Sequence, residues 1–397
     1  MKLINKYIIN KGVIHILGET NPIMPSLIAL SIFICFMGVV SSHFFFICWI
    51  LVCFYCRRNV PIDSSFRMMI VIISLSFMNE ILGITFNSEL VMNSVFELIP
   101  YSLLILFTIY TAKIINERIL RWLIVFTILD VIVAIYQRII GVNSFFSSTV
   151  SEMGDLLFYD MSVNGLHINS AGLGESVFLG LLIYEKYYQS RIVKGYVFYP
   201  LICIGAFLCF NRTTMVVLAF FFVLKAYKEN KLYIVFFVCL GIVTYILMNK
   251  ELLDILFMQF FRGADSLDSG NAVSERDVIY PFYWNFFKEN FFLGNNSFKY
   301  YVQVFGDGRM FHAHNSYLQT LANNGFIISL LYFILIFKNI NRDNYYLILP
   351  ILLFACFQTF ILWGLSYGDL IFYNILLDKQ KYTNNEKIFQ KRSLSTV

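Results

Sequence analysis

Three segments of this sequence hold the residues best suited to chemistry. Arg212 stands in Phe210-Asn211-Arg212-Thr213-Thr214, a polar turn between two apolar runs. A guanidinium at a membrane edge either snorkels to the interface or grips a phosphate with two parallel N–H donors. Arg276 stands in Ser274-Glu275-Arg276-Asp277. It is either part of a solvated charge cluster with a local ion pair or a contact for an anion, and Glu275 with Asp277 makes a weak pair for a divalent cation. His312 and His314 stand in Phe311-His312-Ala313-His314-Asn315-Ser316-Tyr317-Leu318, two of only five histidines. A His-x-His pair can ligate zinc, but no third ligand stands at a recognisable spacing. A histidine at the start of a helix can instead act as a general base. Asn315 would then cap the helix or orient the imidazole. The plainer reading is a polar helix-capping segment. Asn324-Gly325 marks a break in the following helix or a close approach of another. Arg309, Lys250, Arg262, Lys288 and Lys299 add cations to the same long loop, and Asn164, His167, Asn169 and Ser170 close an earlier one.

The elements that must position these groups are set by composition. Of 397 residues, 58% are hydrophobic and 14% charged, against roughly 45–50% and about 25% in a soluble domain. Soluble enzymes, disordered proteins and nucleic-acid binders are disfavoured, and the net charge of +5 reports mostly on loop orientation. The expectation is an all-α polytopic membrane protein with about twelve transmembrane helices, ten to twelve, from windows of about 20 apolar residues. The expected spans are Met24–Val40, Phe44–Cys56, Arg67–Phe86, Val95–Ala112, Ile119–Ile140, Ala171–Tyr188, Gly195–Phe210, Thr213–Ala226, Leu232–Met248, Ser316–Phe337, Tyr345–Trp363 and Gly368–Leu377. Basic residues gather in alternate loops: Arg57, Arg58 and Arg67; Lys113, Arg118 and Arg121; Lys186, Arg191 and Lys194; Lys225, Lys228 and Lys231; Lys338 and Arg342. This is the positive-inside pattern, and it places both termini in the cytoplasm.

Residues 1–397 read as one membrane-embedded domain, with outer loops at 141–170 and 250–314 and a cytoplasmic tail at 378–397. Long loops are usually functional or disordered. The second is rich in aromatic residues, and Val278, Ile279, Phe282 and Phe286 at helical spacing predict a short amphipathic helix over Arg276–Asn290. Inside the spans, Glu80, Asp130, Arg138, Glu175 and Glu185 are costly in lipid and are either functional or, for Glu80 and Asp130, paired with Arg or Tyr. The eight cysteines sit in or beside apolar runs and read as packing residues. The basic N-terminus reads as a cytoplasmic tail before a retained first helix.

The Asn211-Arg212-Thr213-Thr214 turn, the Arg276 segment through Trp284 to Leu293-Gly294, and His314-Asn315 followed by Gly325 after nine intervening residues occur in that order. Over about Gly165 to Phe337 the sequence resembles the bacterial O-antigen polymerase and ligase superfamily. The resemblance implies a metal-independent, inverting glycosyltransferase of the C-type architecture that uses no cofactor. Its substrates would be undecaprenyl-diphosphate-linked glycans at the periplasmic face of the inner membrane. It further implies Arg212 and Arg276 on the donor diphosphate and His314 as base. Asn315, His312, Arg309, Asn169 and Asn211 are the further substrate-binding candidates, and a chain-length regulator is an implied partner. Two activities share such a site: polymerisation of lipid-linked repeat units, and ligation of finished polymer to a lipid A core. Ile328 and Ser316 depart from the ligase-type pattern and favour polymerisation. A flippase is disfavoured because the chain shows no internal repeat.

Overall fold

The computed structural model describes residues 23–56, 63–86, 100–146, 162–188, 193–233, 276–303 and 310–377, with positions 240, 244 and 249. Arg309, Glu275, the tail from 378 and most of the span expected at Leu232–Met248 lie outside the described residues, as does the side chain of Asp277. The helices, in chain order, are α1 (Ile23–Phe36), α2 (Phe45–Cys56), α3 (Ser64–Phe86), α4 (Tyr101–Ile114), α5 (Glu117–Ile140), α6 (Ser170–Ile183), α7 (Gly195–Leu208), α8 (Arg212–Lys228), α9 (Arg276–Glu289), α10 (Ser316–Asn339), α11 (Tyr345–Ala355) and α12 (Tyr367–Leu376). The strands β1 (Val302–Gln303) and β2 (Met310–Phe311) pair antiparallel between α9 and α10. By length and apolarity α3, α5 and α10 can each cross a membrane. Large side chains such as Phe54, Ile139 and Phe337 point outward from the helices. Such surfaces suit lipid, where helices satisfy their own backbone groups. The chain is a multi-pass helical membrane protein.

The chain folds as two compact units. The first takes its described residues from 1–61, 110–150 and 162–209, the second from 62–109 and 210–397. In the first unit α5 packs against α1, α6 and α7. Asn116 starts α5 by accepting from Ile119 N at 3.0 Å, and left-handed Gly141 ends it, the usual asymmetry of helix ends. Asp130 in α5 finds neither Arg nor Tyr. It accepts from Leu166 N at 2.8 Å and pairs with His167 Nε2 at 3.0 Å. Gln137 holds Gly165 through two hydrogen bonds of 2.7 and 2.8 Å. These contacts fold the chain end of the first outer loop onto α5, a structural use of buried polar groups. Among the described residues, no cysteine is joined in a disulfide.

In the second unit α3 and α10 run antiparallel. Ser65 Oγ donates to Asn339 Oδ1 at 2.7 Å at one end, and Asn79 Nδ2 donates to Leu293 O at 2.9 Å toward the other. Glu80 also differs from the Arg or Tyr pairing expected of it. It accepts from Ser102 N and Oγ at 2.9 and 2.8 Å. The span expected at Tyr345–Trp363 is shorter as a helix, because α11 stops at Ala355. Beyond it the chain is captured by two side chains. Ser316 Oγ accepts from Phe360 N and Ile361 N, and Asp369 accepts from Leu362 N, Trp363 N and Gly364 N at 2.6–2.8 Å. Those N–H groups would otherwise have been helical donors, so residues 356–366 become an ordered irregular strap.

Candidate functional site

The site is built at the start of α10. Asn315 is the N-cap, its Oδ1 accepting from Tyr317 N and Leu318 N at 3.0 Å each. Its Nδ2 donates to Cys356 O at 3.0 Å, so one side chain starts α10 and ties it to the strap after α11. Tyr280 of α9 also hydrogen-bonds the Asn315 side chain. His314, immediately before the cap, has φ 48. That left-handed conformation is uncommon outside glycine, though histidine adopts it more readily than most residues. The same device recurs at the Arg212 turn. Phe210 has φ 49, and Asn211 caps α8 by accepting from Thr214 N at 3.2 Å. Two of the three expected motifs are thus a left-handed residue followed by an asparagine cap.

The histidine pair is ordered by its backbone. His314 N donates to His312 Nδ1 at 3.2 Å, and Thr359 Oγ1 lies 3.3 Å from the same nitrogen. Nδ1 therefore holds a lone pair, and neutral His312 carries its proton on Nε2. Burial, the neighbouring His314 and the Lys299 charge push the His312 pKa down to about 3, so this ring stays neutral and acts as a donor. His314 lies beside it with ring centroids 4.0 Å apart. Burial and the Arg276 charge lower its pKa below the ordinary value, while a hydrogen bond with Gln358 raises it.

Arg276 begins α9, and its charge is felt by both His314 and Tyr280. α9 is held against α10 by Tyr283, whose hydroxyl donates to Tyr300 O and Phe311 O at 2.8 and 3.0 Å. Ile279, Tyr283, Val302, Ala313 and Ala322 form the core beneath. Gln319 links the layers by accepting from Ala313 N and donating to Tyr300 O. The helix expected over Arg276–Asn290 is therefore present as α9; Ile279 and Tyr283 enter this core, while Val278 and Phe282 stay exposed.

Arg212 reaches the same end of the second unit by a different route. α8 packs antiparallel to α11: Lys228, at the C-terminus of α8, donates to Asp343 O at 2.9 Å and covers the Tyr346 ring. The N-terminus of α8, with Arg212, thus lies toward the C-terminus of α11, where Cys356 is bonded by Asn315. Arg212, Arg276, His312, His314, Asn211 and Asn315 all belong to the second unit. Asn169 belongs to the first, where it caps α6 by accepting from Gly172 N at 2.8 Å. Among the described residues, no group of three or more His, Cys, Asp or Glu is placed to hold a metal ion.

Lys299 was expected only as one of the loop cations, and Trp363 was not singled out at all. The Lys299 ammonium lies 3.8 Å from the centre of the Trp363 ring and 5.3 Å from that of Tyr101. Trp363 in turn meets His312 edge to face at 5.7 Å. Trp363 lay in an expected span, so no local signal linked it to the loop lysine.

With that geometry in hand, comparison with known proteins is informative. The family described as O-Antigen ligase matches residues 173–333, a stretch containing Arg212, Arg276, His312, His314 and Gly325. No curated protein and no solved structure matches the chain.

Proposed function

Taking the chain as a member of the O-antigen polymerase and ligase superfamily, which the match over residues 173–333 supports, we propose that it polymerises lipid-linked oligosaccharide repeat units at the outer face of the bacterial inner membrane. The growing glycan leaves undecaprenyl diphosphate and is joined to another lipid-linked unit. The observation that carries this reading is the packing of α9, which begins at Arg276, against α10, whose Asn315 cap directly follows His314.

Each partner has a role in the displacement. A sugar hydroxyl of the acceptor attacks the anomeric carbon of the donor, and its proton passes to His314. The bond from the anomeric carbon to the diphosphate breaks on the opposite side, inverting the configuration. The electron pair leaves on a diphosphate oxygen. Arg276 and Arg212 stabilise the developing charge as fixed cations, with the forked geometry that suits phosphate oxygens. His312 contributes an Nε2–H donor to a substrate oxygen, and Arg309 and Asn211 are further candidates for binding the substrate. Both termini face the cytoplasm and the site faces the periplasm.

Ligation of finished polymer to a lipid A core is the second reading, favoured by the description of the matching family. Deletion of the gene in its host, with the surface glycan resolved on a gel, separates the two. A single repeat unit left on the core, with the ladder lost, is the expected result. Complete loss of attached glycan, with polymer accumulating on the lipid carrier, would establish ligation instead.

A further inference from the structure

The diphosphate chemistry gives Lys299 no task. Lys299 is half-buried, and among the described residues its ammonium has no carboxylate within ion-pair distance. Asp369 is the acidic group whose field reaches it, but that carboxylate is committed to Leu362 N, Trp363 N, Gly364 N and Ser366 Oγ. Lys299 is held instead against the faces of Trp363 and Tyr101. Cation–π contact offsets part of the cost of burial, and among the described residues the ammonium N–H donors meet no acceptor. Burial draws the Lys299 pKa down to about 8, as expected of a cation lacking a close anion.

The surroundings are those of a sugar subsite. Tyr301, exposed at the edge, meets Trp363 at right angles with centroids 6.3 Å apart. His312 meets the same ring from another side and offers its Nε2–H. Aromatic faces stack on the C–H faces of pyranoses, and a few placed donors fix the orientation. The position relative to the histidines sets which sugar is held. The Arg276 charge acts on His314, whereas the Lys299 charge acts on His312. His314, as the base, meets the acceptor hydroxyl, and the His312 ring stands beside it with centroids 4.0 Å apart, so the lysine side of the pair belongs to the acceptor. A single ammonium between aromatic rings suits one carboxylate, while the guanidinium forks suit phosphate oxygens.

We propose that Lys299, Trp363, Tyr301 and His312 form an acceptor subsite for a carboxylate-bearing sugar, so that the repeat unit this protein extends contains a uronate-type residue. The assignment to the acceptor rests on the glycosyl-transfer reading above.

The test is direct binding to the purified full chain in detergent, read by tryptophan fluorescence, with methyl glucuronide, methyl glucoside and inorganic phosphate as probes. The glucuronide is expected to give a saturable change. Lys299→Met is expected to weaken it about tenfold or more, the scale of a lost charge-assisted hydrogen bond. Lys299→Arg should retain it. Trp363→Phe should silence the signal and so assign it to this ring among the four tryptophans. Equal binding of the glucoside, unaltered binding in a monodisperse Lys299→Met protein, or phosphate competing as strongly as the glucuronide would each overturn the proposal. The readout is independent of transfer. Polymer formation with glucuronide binding unaltered by Lys299→Met sinks the subsite alone, whereas glucuronide binding without polymer formation sinks the enzyme reading and leaves the sugar site.

Discussion

His314→Ala is expected to reduce glycan transfer by about 10²- to 10⁴-fold, the range associated with loss of a general base, while membrane expression and helix content stay at wild-type levels. The reasoning is local. The His314 side chain lies outside the cap bonds that start α10, which come from Asn315, so the helix does not need the imidazole. Alanine at φ 48 carries a backbone cost of about 1–3 kcal/mol. His314→Asn is therefore the better partner variant, because asparagine tolerates the left-handed region yet supplies no base. Equal loss of activity in both variants, with intact melting curves, identifies the lost nitrogen as the cause. Wild-type chain ladders in either would remove His314 from the base role.

The pH profile follows from the same contacts. A base works when neutral, so activity falls as pH drops through the folded pKa of His314. That pKa is depressed below 6.5 by burial and by Arg276, and the acid limb should therefore lie below pH 6.5. Arg276→Gln removes one cause of the depression. Its acid limb should move to higher pH, besides any loss of rate from weaker diphosphate contact. A limb that stays put in Arg276→Gln would mean the guanidinium does not act on His314.

Much of the helical frame was legible because it depends on short-range composition. Apolar windows located α2, α3, α5 and α7 within a few residues, and the loop periodicity located α9. The Asn315 cap was legible for a similar reason: a polar asparagine beside an apolar run is a local signal. What escaped was set by distant partners. α11 ends at Ala355 because Ser316 and Asp369 capture the N–H groups of residues 360–364, and nothing in Tyr345–Trp363 itself reports this. Asp130 was left between function and pairing with Arg or Tyr, and it takes His167, 37 residues away. Lys299 and Trp363 meet across 64 positions of sequence. The break at Asn324-Gly325 was visible, but the surface it serves was not.

That break supports the other large effect, Gly325→Ala. Gly325 has φ 68 and ψ −175 inside α10, a region open almost only to glycine. A Cβ there would collide with Phe292 O and lie 2.7 Å from Leu293 N. Both obstacles are backbone and cannot rotate away. Gly294 meets the same joint from the other side, since its Cβ would lie 2.5 Å from Gly325 N. The two segments are sewn together by Phe326 N to Phe291 O at 2.7 Å, Asn295 N to Ala322 O at 2.8 Å and Ser297 N to Asn323 O at 2.8 Å. Alanine must then pay about 1–3 kcal/mol for the dihedrals and also part the segments, at about 1 kcal/mol for each hydrogen bond lost. The loop end of α9 and the first half of α10 would separate, and with them the registry that sets Arg276 beside His314. A markedly lower melting temperature in detergent and loss of transfer together are the expected result. Ile327→Ala, two residues away on an outward-facing side chain, should change neither and serves as the control. A Gly325→Ala protein that melts with wild type but makes no polymer would place the residue at the substrate, and one that matches wild type in both would mean that the joint opens freely in the native membrane protein.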